Sequence, residues 1–384
     1  MQKTGNLLMV PGPTNVPNRI MAAMQRPMIN HRGPEFRQLY RSLYDGMQYA
    51  FQTKNHVFAL TSSGTGGVEC AVSNTISQGD KVVIPVNGGF SQRLKEKIET
   101  YGGIPIEIPV ELGKAATPNQ IREAVEREKN VRAIAIVYNE TSTGVTMRGL
   151  DEVGRIAEKH NALLLVDAVS VLCGDNLPVD AWKVDLCVTG TQKCLACPPG
   201  LALVSVSEKA WQVIHAVKRT SYYFSLPKCK EFHEKEETPF TPALPIYYAL
   251  DEALKMLKEE GLENRINRHK KCAEAFYNAF RKMGLQLFAD PRYLSNTVLV
   301  VKIPQGIADK DWREKMREKY GVIVAGGMGN TKGTVIRIGS MGIVSEAEVN
   351  TTIRAIGMSL IDLGHQVDLE AGLEAAKNTF ASHL

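Results

Sequence analysis

The sequence predicts an α/β protein: a large domain on a mostly parallel, seven-stranded sheet, followed by a smaller α+β domain. Three observations carry this expectation. Short, near-continuously apolar runs alternate with amphipathic stretches over the first two-thirds of the chain, as strands covered on both faces do. Near Pro245 the alternation gives way to two long helical stretches and a second set of strands. The length, 384 residues, accommodates two or three domains at about 150 residues each.

Taken in order, the strand-like runs fall at 56–61, 81–86, 105–109, 132–138, 162–166, 184–189 and 201–206. Between the earlier ones lie amphipathic stretches. Residues 90–101 carry polar side chains around a Leu94/Ile98 stripe, and residues 117–128 open with Thr117-Pro-Asn-Gln120, a capping-box arrangement with Pro at the first helical position. The last three strands are closely spaced, which leaves room for an antiparallel edge. Two helices are expected at 246–260 and 262–283, broken at Gly261. Strand-like runs follow at 285–289, 297–303, 322–325 and 335–338, with a helix at 312–320 between the middle pair and a closing helix at 345–363. The expected division is an N-terminal arm at 1–20, a large domain at 21–260 and a small domain at 261–384. There is no internal repeat and no low-complexity segment.

Composition narrows the function classes. Apolar residues make up 44% and charged residues 23% of the chain, the balance of a soluble globular protein rather than a disordered one. No apolar run reaches the ~18 residues that span a bilayer, so no membrane role is expected. The N-terminus lacks the apolar core and cleavage site of a secretory signal, and a cytoplasmic location is the expectation. The C-terminal tripeptide Ser382-His383-Leu384 resembles a peroxisomal address, which matters only in a eukaryote. The net charge of +5 is dispersed, with the densest basic patch at 265–271, so nucleic-acid binding is not expected. Seven cysteines are an odd number without a bridging framework and read as reduced thiols. Cys194 and Cys197 form a CxxC, but a zinc site would want a second pair nearby.

Three motifs carry chemistry. Thr61-Ser-Ser-Gly-Thr-Gly-Gly67 follows a strand and opens a helical stretch; small residues at a helix N-terminus suit an anion such as phosphate, and suit a plain structural turn equally. It is neither a GxxxxGK[ST] nor a GxGxxG loop. Asp167 ends the buried run 163–166, where a carboxylate is costly without a partner and where α/β ligands sit; the alternative is a structural or helix-capping Asp. Lys193 follows another buried strand, 26 residues on, where a lowered pKa would make it a nucleophile toward carbonyls. Together the cradle, the strand-end Asp and the strand-end Lys form the parts list for pyridoxal 5'-phosphate: the Lys holds the aldehyde, the carboxylate keeps the pyridine nitrogen protonated, and the loop holds the phosphate.

The ordered set of motifs resembles the class V, fold-type I pyridoxal-phosphate aminotransferases, in particular the serine–pyruvate, alanine–glyoxylate and serine–glyoxylate group. The resemblance runs from Pro11-Gly-Pro-Thr-Asn15 to Arg337-Ile-Gly339, through Asn87–Arg93, Glu140–Val145, Val166–Ser170, Gly190–Lys193 and Pro198–Gly200. It implies that Lys193 forms the Schiff base, that Asp167 pairs with the pyridine nitrogen, and that Ser63, Gly64, Thr65 and Gln192 hold the phosphate. It further implies that Thr241 reaches the phosphate site of a neighbouring subunit in a homodimer, that Phe90 stacks on the ring where several relatives carry Trp, and that Thr141 lies near the ring oxygen where relatives often carry Ser. Arg337 would clamp the substrate α-carboxylate through its bidentate fork. Thr238 stands where some relatives carry a phosphate-binding Tyr. His31 and Arg32, in the polar loop 30–36, match a loop near the substrate entrance in some members; a structural turn or an interface segment is the other reading.

The expected reaction is ping-pong transamination of serine or alanine with pyruvate or glyoxylate, the freed amine of Lys193 moving the substrate's Cα proton. Arg32 and Arg37 keep a dicarboxylate such as aspartate open, and ureidoglycine is a further option within the family. A cysteine desulfurase would need a reactive cysteine on a mobile loop, for which Cys229 is the candidate. A nicotinamide-dependent dehydrogenase is disfavoured by the missing GxGxxG, and a non-enzymatic cofactor-sensing module by the intact Lys193, Asp167 and Arg337.

Overall fold

Seven runs of apolar residues do assemble into one seven-stranded sheet, in the order 56–61, 201–206, 186–190, 163–167, 131–137, 81–86 and 104–109. The computed structural model describes residues 5–217 and 221–382; His383 and Leu384 of the C-terminal tripeptide lie outside the described residues. A short arm strand, β1 (Leu7–Leu8), precedes helices α1 (Asn18–Ala23) and α2 (Pro34–Phe51). Strands and helices then alternate: β2 (His56–Thr61), α3 (Gly64–Thr75), β3 (Lys81–Val86), α4 (Gly89–Thr100), β4 (Ile104–Pro109), α5 (Pro118–Arg127) and β5 (Val131–Val137). The hairpin β6 (Asn139–Glu140) and β7 (Val145–Thr146) leads to α6 (Leu150–Lys159), β8 (Leu163–Asp167), β9 (Leu186–Gly190) and β10 (Leu201–Val206). Helices α7 (Glu208–Ala216), α8 (Leu226–His233), α9 (Leu244–Glu260) and α10 (Leu262–Lys282) follow. The chain closes with β11 (Val298–Lys302), α11 (Asp309–Tyr320), β12 (Val322–Ile323), β13 (Ala325–Gly326), β14 (Val335–Gly339), α12 (Glu346–Asp362) and α13 (Leu369–Ala381).

The antiparallel strand is not at the sheet's edge. β10 runs between β2 and β9 and is antiparallel to both, while the other neighbouring strands pair in parallel. Its six residues are all buried, because apolar clusters cover both faces of the sheet. Helix α5 starts as the capping box requires: Thr117 Oγ1 accepts from Gln120 N–H at 3.3 Å and Gln120 Oε1 accepts from Thr117 N–H at 2.9 Å. Two expectations are corrected in the C-terminal part. Residues 285–289 form only an isolated bridge, Leu287 to Val301, rather than a strand. The chain also does not close with α12, since α13 packs on α10 and α12 and adds Leu369, Leu373 and Ala376 to the second core.

That second core gathers α10, α11, α12, α13 and the sheet β11-β14-β13, and it takes in Met9 of the arm. The arm is sewn to this part of the chain. β1 pairs in parallel with β12, Leu7 opposite Val322, and Gly339 N–H donates to Met9 O at 2.8 Å. Gly339 has no room for a side chain, because a Cβ there would stand 2.1 Å from Val10 O. Gly339→Ala is therefore expected to lever the arm from β14 and destabilise the chain by about 1–3 kcal/mol, the usual cost of overpacking. Urea unfolding of the variant beside the parent measures it; an unchanged midpoint would refute the close contact.

Candidate active site

The C-terminal ends of β8 and β9 are where the buried sheet delivers charged side chains. β9 ends at Gly190, and the chain turns back into β10 through 191–200. This turn is held from inside. Thr191 Oγ1 donates to Pro198 O at 2.7 Å, Cys197 N–H to Thr191 O at 3.1 Å, and Ala196 N–H to Lys193 O at 2.9 Å. From outside, the buried Arg265 donates to Cys194 O at 3.2 Å.

Lys193 projects from this turn against the arm. Its Nζ donates to Pro11 O. Gly12, at φ +99°, leaves the space that the lysine fills: a Cβ there would lie 2.7 Å from both Lys193 Cδ and Nζ. Burial lowers the Lys193 pKa to about 8, with Arg337 pushing the same way and Asp167 opposing. A lysine so placed is largely protonated at pH 7 but releases its proton far more readily than an exposed one.

Asp167 ends β8, between Val137 and Val188 in the neighbouring strands. Its Oδ1 accepts from Val169 N–H at 3.0 Å. Burial raises its pKa to about 6, against the pull of that N–H, and the Glu140 charge adds to the rise. No Lys or Arg lies within ion-pair distance of it among the described residues.

The anion cradle is built by close approach. α3 begins at Gly64 with Ser63 as its N-cap. A Cβ on Gly64 would meet Val169 Cγ2 at 2.8 Å, and one on Gly67 would meet Ala202 Cβ at 2.7 Å. The glycines thus let the helix N-terminus press onto the strand ends beside Asp167. Ser62 N–H donates to Gly200 O at 3.0 Å and ties the cradle to the lysine turn. Ser63 and Thr65 are exposed, and Ser63 makes no capping bond with its side chain. Gln192 Oε1 is buried without a hydrogen-bond partner, an unmet polar atom on the lysine turn next to Lys193.

Arg337 comes from the other core. It lies on β14, its Nε donating to Gly326 O at 2.8 Å and its Nη1 to Thr141 O at 3.5 Å. No carboxylate lies within ion-pair distance of it among the described residues. Burial lowers its pKa and the Glu140 charge partly restores it. Thr141 is buried in the turn between β6 and β7.

Phe90, half-buried, is the second residue of α4. Sequence reasoning missed what fixes it. Glu140 is wholly buried and accepts from Phe90 N–H at 3.1 Å, Ser91 N–H at 2.8 Å and Ser142 N–H at 3.1 Å. A carboxylate on the first N–H groups of α4 satisfies donors the helix leaves open. The signal was a Glu in an otherwise uncharged, buried stretch. Pro11, Gly12 and Arg265 were likewise not singled out as site residues.

Other expected residues stand apart. Arg32 is spent on Glu237 (2.9 Å), Thr238 O (2.6 Å) and Pro239 O (3.4 Å), and half-buried His31 makes no hydrogen bond to the Lys193 cluster. Thr238 is buried and donates to Phe240 O at 2.8 Å. Thr241 is exposed, on a segment tied to the end of β2 by Ala243 N–H to Thr61 Oγ1 at 3.3 Å. Cys229 lies buried in α8, not on a loop, and burial pushes its thiol up to about 12. All seven cysteines are unpaired and buried.

The family profile of class-V aminotransferases matches residues 7–355. The chain belongs to that family. It is an aminotransferase of fold type I, and its relatives span its whole length. It is 41% identical over 373 residues to an uncharacterized aminotransferase of Methanocaldococcus jannaschii, covering 97% of this chain and 96% of the relative. It is 36% identical to the serine–glyoxylate aminotransferase of Methylorubrum extorquens, covering 97% and 95%. Among solved structures, the ureidoglycine–glyoxylate aminotransferase of Bacillus subtilis superposes with a TM-score of 0.93 at 29% identity, covering 100% of both chains. Among the described residues no helix is long and apolar enough to cross a membrane.

The raised Asp167 pKa makes a stability prediction. A folded-state value near 6 against 3.8 unfolded means that the ionised carboxylate destabilises the ligand-free chain fully above pH 6 and not at all below both values. Asp167→Asn should raise the melting temperature of ligand-free protein at pH 8, and the gain should vanish near pH 3.5. A gain that persists at the acid end would assign it to something other than the charge.

Proposed function

We propose that this aminotransferase uses pyridoxal 5'-phosphate to move the amino group of a small L-amino acid, serine or alanine, to glyoxylate or pyruvate. The observation that carries the reading is the pairing of Lys193, eased toward neutrality by burial, with an Arg337 that has no acidic partner of its own. The residues fit the cofactor. Gln192 has a buried amide oxygen without a partner, and Ser63 stands free at the N-terminus of α3. Ser63, Gly64, Thr65 and Gln192 would hold the phosphate, with Phe90 and Thr141 beside the ring. Thr241 would serve the site of a neighbouring subunit, which makes a homodimer part of the proposal.

When bound, the cofactor supplies an aldehyde for the substrate's amine and a ring that takes up electron density from Cα. The chain's own groups do the rest. Arg337 binds the α-carboxylate and orients the substrate. Lys193, once its amine is free, would take the proton from Cα and deliver it to the carbon that had carried the cofactor's aldehyde, a shift suited to a base with pKa near the working pH. Asp167 keeps a proton on the ring nitrogen, because a cation beside it makes its ionised form favourable.

The small-substrate reading has support in the arginines. A dicarboxylate substrate needs a second cation, and both candidates share one acid: Arg32 and Arg37 bind Glu237 at 2.9 and 2.8 Å. The serine–glyoxylate relative points the same way.

The test is the near-visible spectrum of the protein reconstituted with pyridoxal 5'-phosphate. L-Serine should bleach the band of the lysine-bound cofactor, and glyoxylate or pyruvate should restore it. L-Alanine should do the same, and L-aspartate should act far more weakly. A protein that stays colourless would sink the role of Lys193; a coloured one that responds only to L-aspartate or L-cysteine would overturn the substrate class. Lys193→Ala should abolish turnover. Arg337→Ala should keep the coloured band and lower kcat/KM by roughly 100-fold, the worth of a lost charge-assisted bond.

A further inference from the structure

Between Arg337 and the start of α4 stands one side chain that no part of the proposed chemistry uses. Met328 follows β13 in the glycine-rich run Ala325-Gly-Gly-Met-Gly329. Its Sδ lies 3.5 Å from Arg337 Nη1 and accepts its weak hydrogen bond. Its Cε reaches the helix on the opposite side: a Cβ on Gly89 would lie 3.3 Å from it. The side chain therefore bridges the arginine and the residue preceding Phe90. Its backbone is pinned, with Met328 N–H donating to Thr331 Oγ1 at 3.1 Å and Thr331 N–H to Met328 O at 3.1 Å. Thr331 itself is buried.

On the far side of Met328 lies a cleft of about 400 Å³, with Gly88, Gly89, Ser142, Thr143 and Asn330 among its walls. Arg337 does not line it, and Met328 borders both. Thr143, on its wall, is buried and its hydroxyl has no hydrogen-bond partner. Helix α4 and the β6–β7 turn are held to one another through Glu140 and Ser142, the latter accepting from Gly89 N–H at 2.8 Å, and Glu107, Pro109, Val110 and Leu112, at and just after the end of β4, form a further wall. The movable part is the thioether, an unbranched side chain with three rotatable bonds.

We propose that Met328 determines substrate size: it closes this cleft off from Arg337, so that a carboxylate held by the arginine has room for a short side chain only. The inference rests on Arg337 being the carboxylate site of the aminotransferase reading above. A carboxylate arriving at Arg337 displaces the sulfur from Nη1, and the methionine then lies against the substrate's side chain. Removing the thioether joins the cleft to the arginine site and opens it to longer chains.

The test compares L-alanine with L-norvaline as amino donors to the reconstituted enzyme, with glyoxylate as acceptor. Met328→Ala should raise the norvaline-to-alanine ratio of kcat/KM by roughly 10-fold or more, since each methylene accommodated in an apolar pocket is worth that order of discrimination. Met328→Leu, which keeps the volume and removes the sulfur, should hold the parent ratio. Calorimetry with unreactive acetate and valerate gives a readout apart from turnover, and the affinity ratio should shift in the same direction in Met328→Ala alone. Should the alanine variant fold poorly, Met328→Val is read against the same two scales. An unchanged ratio in a folded, coloured, active variant overturns this inference and leaves the aminotransferase reading standing. A parent enzyme that transaminates neither amino acid, with carboxylates that bind equally well to Arg337→Ala, overturns both.

Discussion

The site depends on the burial of one lysine. An ammonium group taken out of water is costly, and Lys193 pushes that cost into a lowered proton affinity. Its acceptor among the described residues, the Pro11 carbonyl, comes from 182 residues earlier in the sequence. Everything that shapes the surroundings serves this placement. The interior strand β10 forces the chain to reverse immediately after β9 and so creates the turn that carries the lysine. The return passes Gly200, whose carbonyl holds Ser62 and with it the start of the anion cradle. Gly12 gives up its side chain so that the lysine's end has somewhere to lie.

Around the lysine, the charges are left unbalanced. The Glu140 charge raises the cost of ionising Asp167, and half-buried Arg337 forms no ion pair with a carboxylate among the described residues. A core optimised for stability pairs such groups or replaces them with apolar ones. Here Glu140 is compensated by helix N–H groups and serine hydroxyls, whereas Asp167 and Arg337 keep their charges available. The difference follows from counting donors rather than from charge, which both residues share.

The strands of the large sheet were legible because strands covered on both faces are apolar almost without interruption, and 56–61, 81–86 and 201–206 coincide with β2, β3 and β10. The place of β10 was not. Short spacing from β9 announces an antiparallel return, but its other neighbour, β2, lies about 140 residues earlier, and no local pattern encodes that pairing. The same limit applies to side chains. Arg32 and Arg37 read as free cations until the fold brings Glu237 to both. Lys193 and Asp167 were readable since each ends an apolar run, where a charge is conspicuous. Arg337 sits in such a run too, but its approach to Thr141 spans 196 residues and only the family resemblance anticipated it. Helix α13 was missed although Leu369, Leu373 and Ala376 have helical spacing, because alanine and glycine between them thin the apolar stripe.

The arm resolves why two cores converge on one site. β1 pairs with β12, Met9 is buried in the second core, and Gly339 holds Met9 by its N–H. The arm therefore belongs structurally with β14, the strand that carries Arg337, although more than three hundred residues separate them. Pro11 is two residues beyond Met9. The acceptor of Lys193 and the arginine that would receive a carboxylate are thus fixed to one body, while Lys193, Asp167 and the cradle are fixed to the other. Met328 joins the first group through the loop after β13. What the large sheet contributes is the Lys193 amine and its electrostatic setting; what the second core contributes is the carbonyl that accepts from that amine and the arginine that would select a substrate. Any change in how the two cores meet must alter both together, because the chain has tied them to the same strand.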